Sequence, residues 1–356
     1  MIRQEQRSEW DGDRALLRPV TLGDLRLPNR VVMAPVTRCR ATNDDLAPTD
    51  LHAAYYGQRA GAGLIIAEGT WTSERTIGFY PNVPGVYSER QVAAWSRVTH
   101  VVHALGGRIV LQLWHAGDPR SDREMTVADI ERTIADFGAA SENARRAGFD
   151  GVEIAANGTH LIARFLNPRL NRRADGHGTR RDRLLFEIVE AAAAAWEGRR
   201  LGVRLSPYWT IDDEPSADRR GGDYPWNADE RTLADYDALV AELNERPLAY
   251  LHLRGPAPRG PVPDVDAFAR YRKLFDGPLI ANHGFDGETG DAIVEAGIAD
   301  AVSFARLFIA NPDLVGRFAL GHETAGSDPD THYSGGARGY VDYPTWPLGV
   351  SAMRSM

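Results

Sequence analysis

The sequence predicts a (β/α)8 TIM barrel of the α/β class, on three observations. Eight short apolar runs recur along the 356 residues, each leads into polar loop residues, and most are followed by a stretch with helical spacing. The runs are apolar throughout rather than alternating, as strands buried on both faces require. A doubly wound open sheet is the runner-up arrangement. Short strands alternating with helices suit a closed parallel sheet better than two antiparallel layers.

In chain order the predicted strands fall at 31–34, 63–67, 108–113, 151–154, 201–205, 249–253, 278–281 and 300–304. The first stops at Pro35 and delivers Thr37, Arg38 and Arg40 into a polar turn. Between strands, Val127, Ile130, Ile134 and Phe137 keep helical spacing behind Thr126 as N-cap, and Leu184, Leu185, Ile188 and Val189 lead an Ala-rich run to Trp196. The Gly- and Pro-rich stretches 215–225 and 255–263 follow the fifth and sixth strands and read as long loops rather than linkers. One domain is expected over 1–356, with the barrel at about 19–321 and a tail, 322–356, wrapping it.

Composition narrows the function classes. With 43% hydrophobic and 25% charged residues the chain can bury a large core, and a net charge of −8 with scattered arginines argues against a nucleic-acid surface. Cys39 is the only cysteine, so no intrachain disulfide or Cys-rich metal site can form. No apolar run approaches the ~20 residues that span a bilayer, and the first residues lack an apolar signal core. The expectation is a cytoplasmic protein with no membrane or nucleic-acid partner and no metal, acting on a small molecule, and a possible homodimer.

In a parallel barrel the strand ends open into one mouth, so the residues after each strand are the candidates for chemistry. They are Pro35 and Thr37 after the first strand, Gln112, Trp114 and His115 around the end of the third, Arg204 at the fifth and Arg306 after the eighth. Seven segments together resemble the old yellow enzyme family of FMN-dependent oxidoreductases. They are Met33-Ala-Pro-Val-Thr-Arg, Tyr80-Pro-Asn-Val-Pro-Gly-Val-Tyr-Ser, Leu111-Gln-Leu-Trp-His-Ala-Gly, Ala147-Gly-Phe-Asp-Gly-Val-Glu-Ile, Phe165-Leu-Asn-Pro-Arg-Leu-Asn-Arg-Arg, Gly202-Val-Arg-Leu-Ser-Pro and Gly339-Tyr-Val-Asp-Tyr-Pro. The resemblance runs from about Pro19 to Pro344.

The resemblance implies roles residue by residue. Thr37 matches the threonine that donates a hydrogen bond near the flavin carbonyl and N5, where electron density changes on reduction. Gln112 matches the glutamine on the pyrimidine ring, whose edge both donates and accepts. Arg204 matches the arginine beside flavin N1, a fixed positive charge for the reduced ring. Arg306 matches the arginine that binds the phosphate. Pro35, Gly69, His283, Gly284 and Ala305 complete the implied FMN site. His283-Gly284 stands where relatives usually carry two glycines, and Ala305 replaces a glycine. Their backbone amides still bind phosphate provided the local φ is negative, because a side chain at positive φ is strained.

The implied substrate site departs further. Relatives follow the Gly-Val-Glu-Ile strand with His-x-x-Asn or His-x-x-His, which holds an enone carbonyl, and then a tyrosine that protonates the α-carbon. Here, without gaps, Ala155 and Gly158 occupy the anchor positions and His160 that of the tyrosine. With one residue deleted at the strand end, Asn157 keeps the asparagine role. The anchor histidine is absent in both registers. His160 is a candidate proton donor near neutral pH, with a backbone-paired loop histidine as the plain alternative. Trp114, Tyr80 and Tyr333 match the aromatic wall over the flavin. A covering hairpin common in relatives is reduced to 118–124, which predicts an open mouth, with the loop 208–226 as its possible closure.

The expected activity is NAD(P)H-dependent reduction of an activated C=C bond in a bulky, specialised substrate, with NADPH or NADH reducing the FMN. Alternatives are flavin-dependent desaturation, redox-neutral isomerisation, or a flavin-binding protein without turnover. A metal hydrolase on the same barrel is disfavoured, since His115, His160 and His283 form no His-x-His signature and Arg204 sits among them.

Overall fold

A computed structural model describes residues 14–78, 80–117, 125–158, 160–208, 228–256 and 262–346. The predicted strands appear as β3 (Val31–Met33), β4 (Leu64–Trp71), β5 (Ile109–Trp114), β6 (Gly151–Ala156), β7 (Leu201–Leu205), β8 (Tyr250–Arg254), β9 (Leu279–Asn282) and β10 (Ala301–Phe304). All pair in parallel, and β10 closes onto β3 through Val302 and Val31. The result is the expected (β/α)8 barrel. Nearly every strand residue is buried, which is why the runs read as continuously apolar.

Two elements differ from the sequence reading. Before the barrel, β1 (Val20–Leu22) and β2 (Leu25–Leu27) form an antiparallel hairpin whose Leu22, Leu25 and Leu27 pack with Val32, Leu64, Ile66 and Ile280. Its turn needs Gly23, at φ 59°, where a Cβ would lie 2.4 Å from the Arg199 carbonyl oxygen. Strand β4 also runs past Ala67 to Trp71, with a register shift between Ala67 and Thr70 before pairing with β5 resumes at Thr70 and Leu113. Glu68, Gly69 and Thr70 are polar or small and resemble a loop in sequence, yet they are the part of the strand that reaches the mouth.

The helices follow their caps. The Thr126 hydroxyl accepts from the Asp129 amide and starts α3 (Val127–Arg146), which buries Ile130, Thr133 and Phe137. Helix α6 (Arg183–Ala193) stops before Trp196, whose indole donates to Ser141 Oγ on α3 at 2.9 Å. Around the barrel lie α1 (Asp50–Gln58), α2 (Glu89–Ala104), α7 (Glu230–Asn244), α8 (Val265–Arg272) and α9 (Gly287–Glu295). None of the described helices is long and apolar enough to cross a membrane. The predicted loops at 215–225 and 255–263, the loop 208–226 and the segment 118–124 lie largely outside the described residues.

The tail is bound to the barrel by buried arginines. Arg38 donates to the carbonyl of Gly339 at 2.7 Å and Arg40 to that of Thr331 at 2.7 Å. Tyr340 is fully buried and stacks on Tyr55 of α1 with ring centroids 4.0 Å apart. Carbonyl oxygens and aromatic faces thereby satisfy guanidinium groups that would be costly to bury alone.

Candidate active site

Side chains alternate along each strand, and this sets the floor of the mouth. Gln112 on β5, Glu153 on β6, His252 on β8 and Ser303 on β10 all turn into the barrel. Gln112 Nε2 donates to Glu153 Oε1, the other Glu153 oxygen meets His252 Nδ1, and His252 Nε2 meets Ser303 Oγ, each at 2.8 Å. Burial alone would raise the Glu153 pKa, but His252, Arg204 and the Gln112 amide hold it below the usual carboxylate range. Burial, with Arg204 nearby, pushes the His252 pKa down, so that ring is neutral.

Arg204 on β7 donates from Nη2 to Asn282 Oδ1 at 3.0 Å, and Asn282 Nδ2 donates to the Ser303 carbonyl at 3.0 Å. Arg204 Nε is buried and has no hydrogen-bond partner among the described residues. A buried guanidinium N–H without an acceptor is costly, and an acceptor on a ligand's ring edge would satisfy it. Gly69 adds a cradle, since a Cβ there would sit 2.8 Å from Trp114 Cε3 and 3.3 Å from Gln112 Oε1.

A cavity of about 810 Å³ opens from this floor along the ends of β9 and β10, lined by Arg204, His283, Gly284, Ala305 and Arg306. A guanidinium beside backbone amides is a donor set that suits a phosphate. Together with the orphaned Arg204 Nε, these residues fit FMN. Ala305 has φ −95° and meets the condition set by its side chain. His283 does not: it has φ 95°, the glycine conformation, so its amide is presented at the cost of backbone strain. Pro35 and Thr37 are half-buried just beyond β3, at the same end of the barrel.

The aromatic residues named from sequence come together. Tyr80 lies 5.6 Å from Trp114 and 6.2 Å from Tyr333 between ring centroids, and the His160 ring meets Trp114 edge-on at 4.9 Å. Tyr333 is 54% exposed, so it stands at the rim rather than in the wall. Trp71, absent from the sequence reading, stacks on the far side of Trp114 at 4.5 Å. Its position in the unpredicted end of β4 hid it.

Strand β6 pairs with β7 without a shift as far as Ala156 opposite Leu205. Ala155 clusters with Trp71 and Trp114. Asn157 follows the strand with its Oδ1 buried and without a hydrogen-bond partner among the described residues, and Gly158 donates from its backbone to Ser206 Oγ at 2.7 Å. His160 is the N-cap residue of α4 (Leu161–Leu166), without a side-chain cap. Burial, with the charges of Arg204 and His115, pushes its pKa down to about 3. A ring shifted this far carries one N–H at neutral pH.

Comparison with known proteins agrees with this geometry. The model of the NADH:flavin oxidoreductase / NADH oxidase family matches residues 15–121 and 117–325. The chain is 35% identical over 367 residues to 12-oxophytodienoate reductase 1 of Oryza sativa subsp. japonica, covering 92% of each chain. It is 32% identical over 370 residues to a probable flavin mononucleotide-dependent alkene reductase of Leishmania infantum, covering 92% of this chain and 97% of that one. The structure superposes on morphinone reductase with a TM-score of 0.85 at 35% identity, over 96% of this chain and 99% of that one. An old yellow enzyme homologue from Zymomonas mobilis gives 0.82 at 33% identity, over 93% and 99%. The chain is a member of the NADH:flavin oxidoreductase family, an FMN-dependent oxidoreductase of the old yellow enzyme type.

Proposed function

We propose that the whole chain, 1–356, forms one FMN-binding unit that reduces the activated C=C bond of a bulky, specialised substrate with NADPH or NADH. The observation that carries this reading is the buried Arg204 Nε, without a partner among the described residues, in a barrel floor shared with Gln112, together with the paired rings of Trp114 and Tyr80. FMN, when bound, supplies two-electron transfer between the nicotinamide and the alkene. Arg306 and the backbone amides of His283, Gly284 and Ala305 hold its phosphate. Arg204 and Gln112 hold the pyrimidine edge, the Thr37 hydroxyl donates near the ring centre, and Pro35 and Gly69 leave room for the ring.

Trp114 and Tyr80 stack the substrate and exclude water from the mouth, with Tyr333 at its rim. Relatives named for 12-oxophytodienoate and morphinone support a sizeable substrate here. Ala155 cannot hold a carbonyl. The neutral His160 ring, with Asn157 near it, takes over by donating its N–H to the carbonyl oxygen, as a neutral imidazole polarises a carbonyl elsewhere. The α-carbon proton then comes from solvent.

The test is anaerobic NADPH oxidation driven by a panel of cyclic enones of increasing size, with products checked for the two added hydrogens. His160→Phe should lower kcat/KM for the alkene by about 10²-fold, the cost of one lost polarising donor, and leave the reduction by NADPH unchanged. An unchanged kcat/KM would remove His160 from the site. The absent anchor also motivates desaturation or isomerisation. That reading wins if saturated ketones are converted with oxygen, or enones rearrange, without NADPH.

A further inference from the structure

The Glu153 of the Gly-Val-Glu-Ile strand has no role in the chemistry above, yet it is fully buried in the barrel and joined to His252 and Ser303. We propose that Ser303, His252 and Glu153 are positioning residues that lock the Gln112 amide with its oxygen toward the mouth, where it accepts only from a ring N–H. This rests on the flavin reading of the site. It adds what decides which edge of the pyrimidine ring Gln112 can meet.

The direction of every proton in the chain follows from one charge. An ionised carboxylate accepts and never donates, so Glu153 takes an N–H from Gln112 at 2.8 Å and the Nδ1–H of His252 at 2.8 Å. A neutral His252 with its proton on Nδ1 has a lone pair on Nε2, and the Ser303 hydroxyl donates to it at 2.8 Å. The amide of Gln112 is left one orientation. Its Oε1 lies toward β4, 3.3 Å from the point a Gly69 Cβ would occupy, and Gln112 is 7% exposed where Glu153 and His252 are fully buried.

Without the carboxylate, the two ends of an amide are nearly the same shape, and a flip costs little. With it, a flipped Gln112 would set oxygen against oxygen and leave a buried N–H unpaired. Ser303 fixes a second amide as well: its carbonyl accepts from Asn282 Nδ2, which turns Asn282 Oδ1 to Arg204. Both amides at the floor are therefore oriented from β10.

The experiment is FMN titration of apoprotein by fluorescence quenching, in a double-mutant cycle. Glu153→Gln keeps the volume but can both donate and accept, so Gln112 is free to flip, and the FMN dissociation constant should rise about tenfold. Gln112→Ala should cost a similar factor. The double variant should bind no worse than Gln112→Ala alone, because Glu153 acts through Gln112. The midpoint potential of the FMN that does bind should follow the same pattern, which a merely structural defect would not produce. Ser303→Ala, the milder change should Glu153→Gln not fold, is expected to cost about threefold in the wild-type background and nothing beside Gln112→Ala. Additive losses of about 100-fold, or unchanged binding in Glu153→Gln or Ser303→Ala, would overturn the proposal while leaving the flavin reading intact. A wild-type chain that takes up no FMN would overturn both.

Discussion

His283 is the one place where the implied cofactor site is built against local preference, and His283→Gly should release that strain. Its φ of 95° lies where L side chains are disfavoured, and the strain costs about 1–3 kcal/mol. Glycine adopts that conformation freely but gives back about 0.5–1 kcal/mol through the entropy of the unfolded chain. The net expectation is a gain of up to about 2 kcal/mol. For a chain of 356 residues, an unfolding entropy of about 2.1 cal/mol/K per residue makes 1 kcal/mol worth about 1.3 °C. The apoprotein of His283→Gly should therefore melt up to about 3 °C higher in a thermal scan. FMN affinity should stay within about twofold, because the assigned ligand at this position is the backbone amide. A variant that melts lower would refute the strain argument. A large loss of affinity at unchanged stability would instead show that the imidazole is itself a ligand.

Mild acid should destabilise the protein through its buried histidines. Burial pushes the pKa of His52 and His160 down to about 3 and of His115 to about 4, from 6.5. Below pH 6.5 the unfolded chain takes up a proton at each of these three rings that the native one refuses, so stability falls with pH by about 1.4 kcal/mol per unit for each of them. Glu68, raised by burial to about 7, opposes this between pH 7 and 4.5, because there the native state holds a proton that the unfolded chain releases. These four groups together give a slope of about 2–3 kcal/mol per pH unit near pH 5.5, and the lowered pKa of His252 acts in the same direction. Urea melts at pH 6.5, 6.0 and 5.5 should show it, and stability that holds level or rises on acidification would contradict it. Gly69→Ala sets a Cβ 2.8 Å from Trp114, which must shift by a few tenths of an ångström into the cofactor's place. Its circular dichroism should be unchanged while FMN affinity drops about tenfold or more, and full FMN occupancy at purification would count against the cradle.

What was legible in the sequence was whatever the hydrophobic effect writes locally. The eight barrel strands announce themselves because both faces are buried, and α3 because Thr126 caps it. The β1–β2 hairpin was missed because only one face is buried, so Thr21 and Arg26 dilute its pattern. Trp71 was missed for the same kind of reason, since Glu68, Gly69 and Thr70 interrupt the apolar run before it. The group of Tyr80, Trp114 and, at the rim, Tyr333 was named from family resemblance and not from spacing, as the three come from distant segments. What could not be read were properties created by residues far apart in the chain. The neutral state of His160 depends on burial and on Arg204 across the barrel, and the Glu153 array joins residues 41 to 99 positions apart. The strain at His283 is a backbone angle, on which its neighbours in sequence are silent.

The central claim, a bound FMN that NAD(P)H reduces, is tested most directly by the visible absorption spectrum of the purified protein, recorded anaerobically before and after NADPH is added. The account predicts flavin bands that bleach on addition of the nicotinamide and return with a suitable enone. A colourless protein that takes up no added FMN would contradict it.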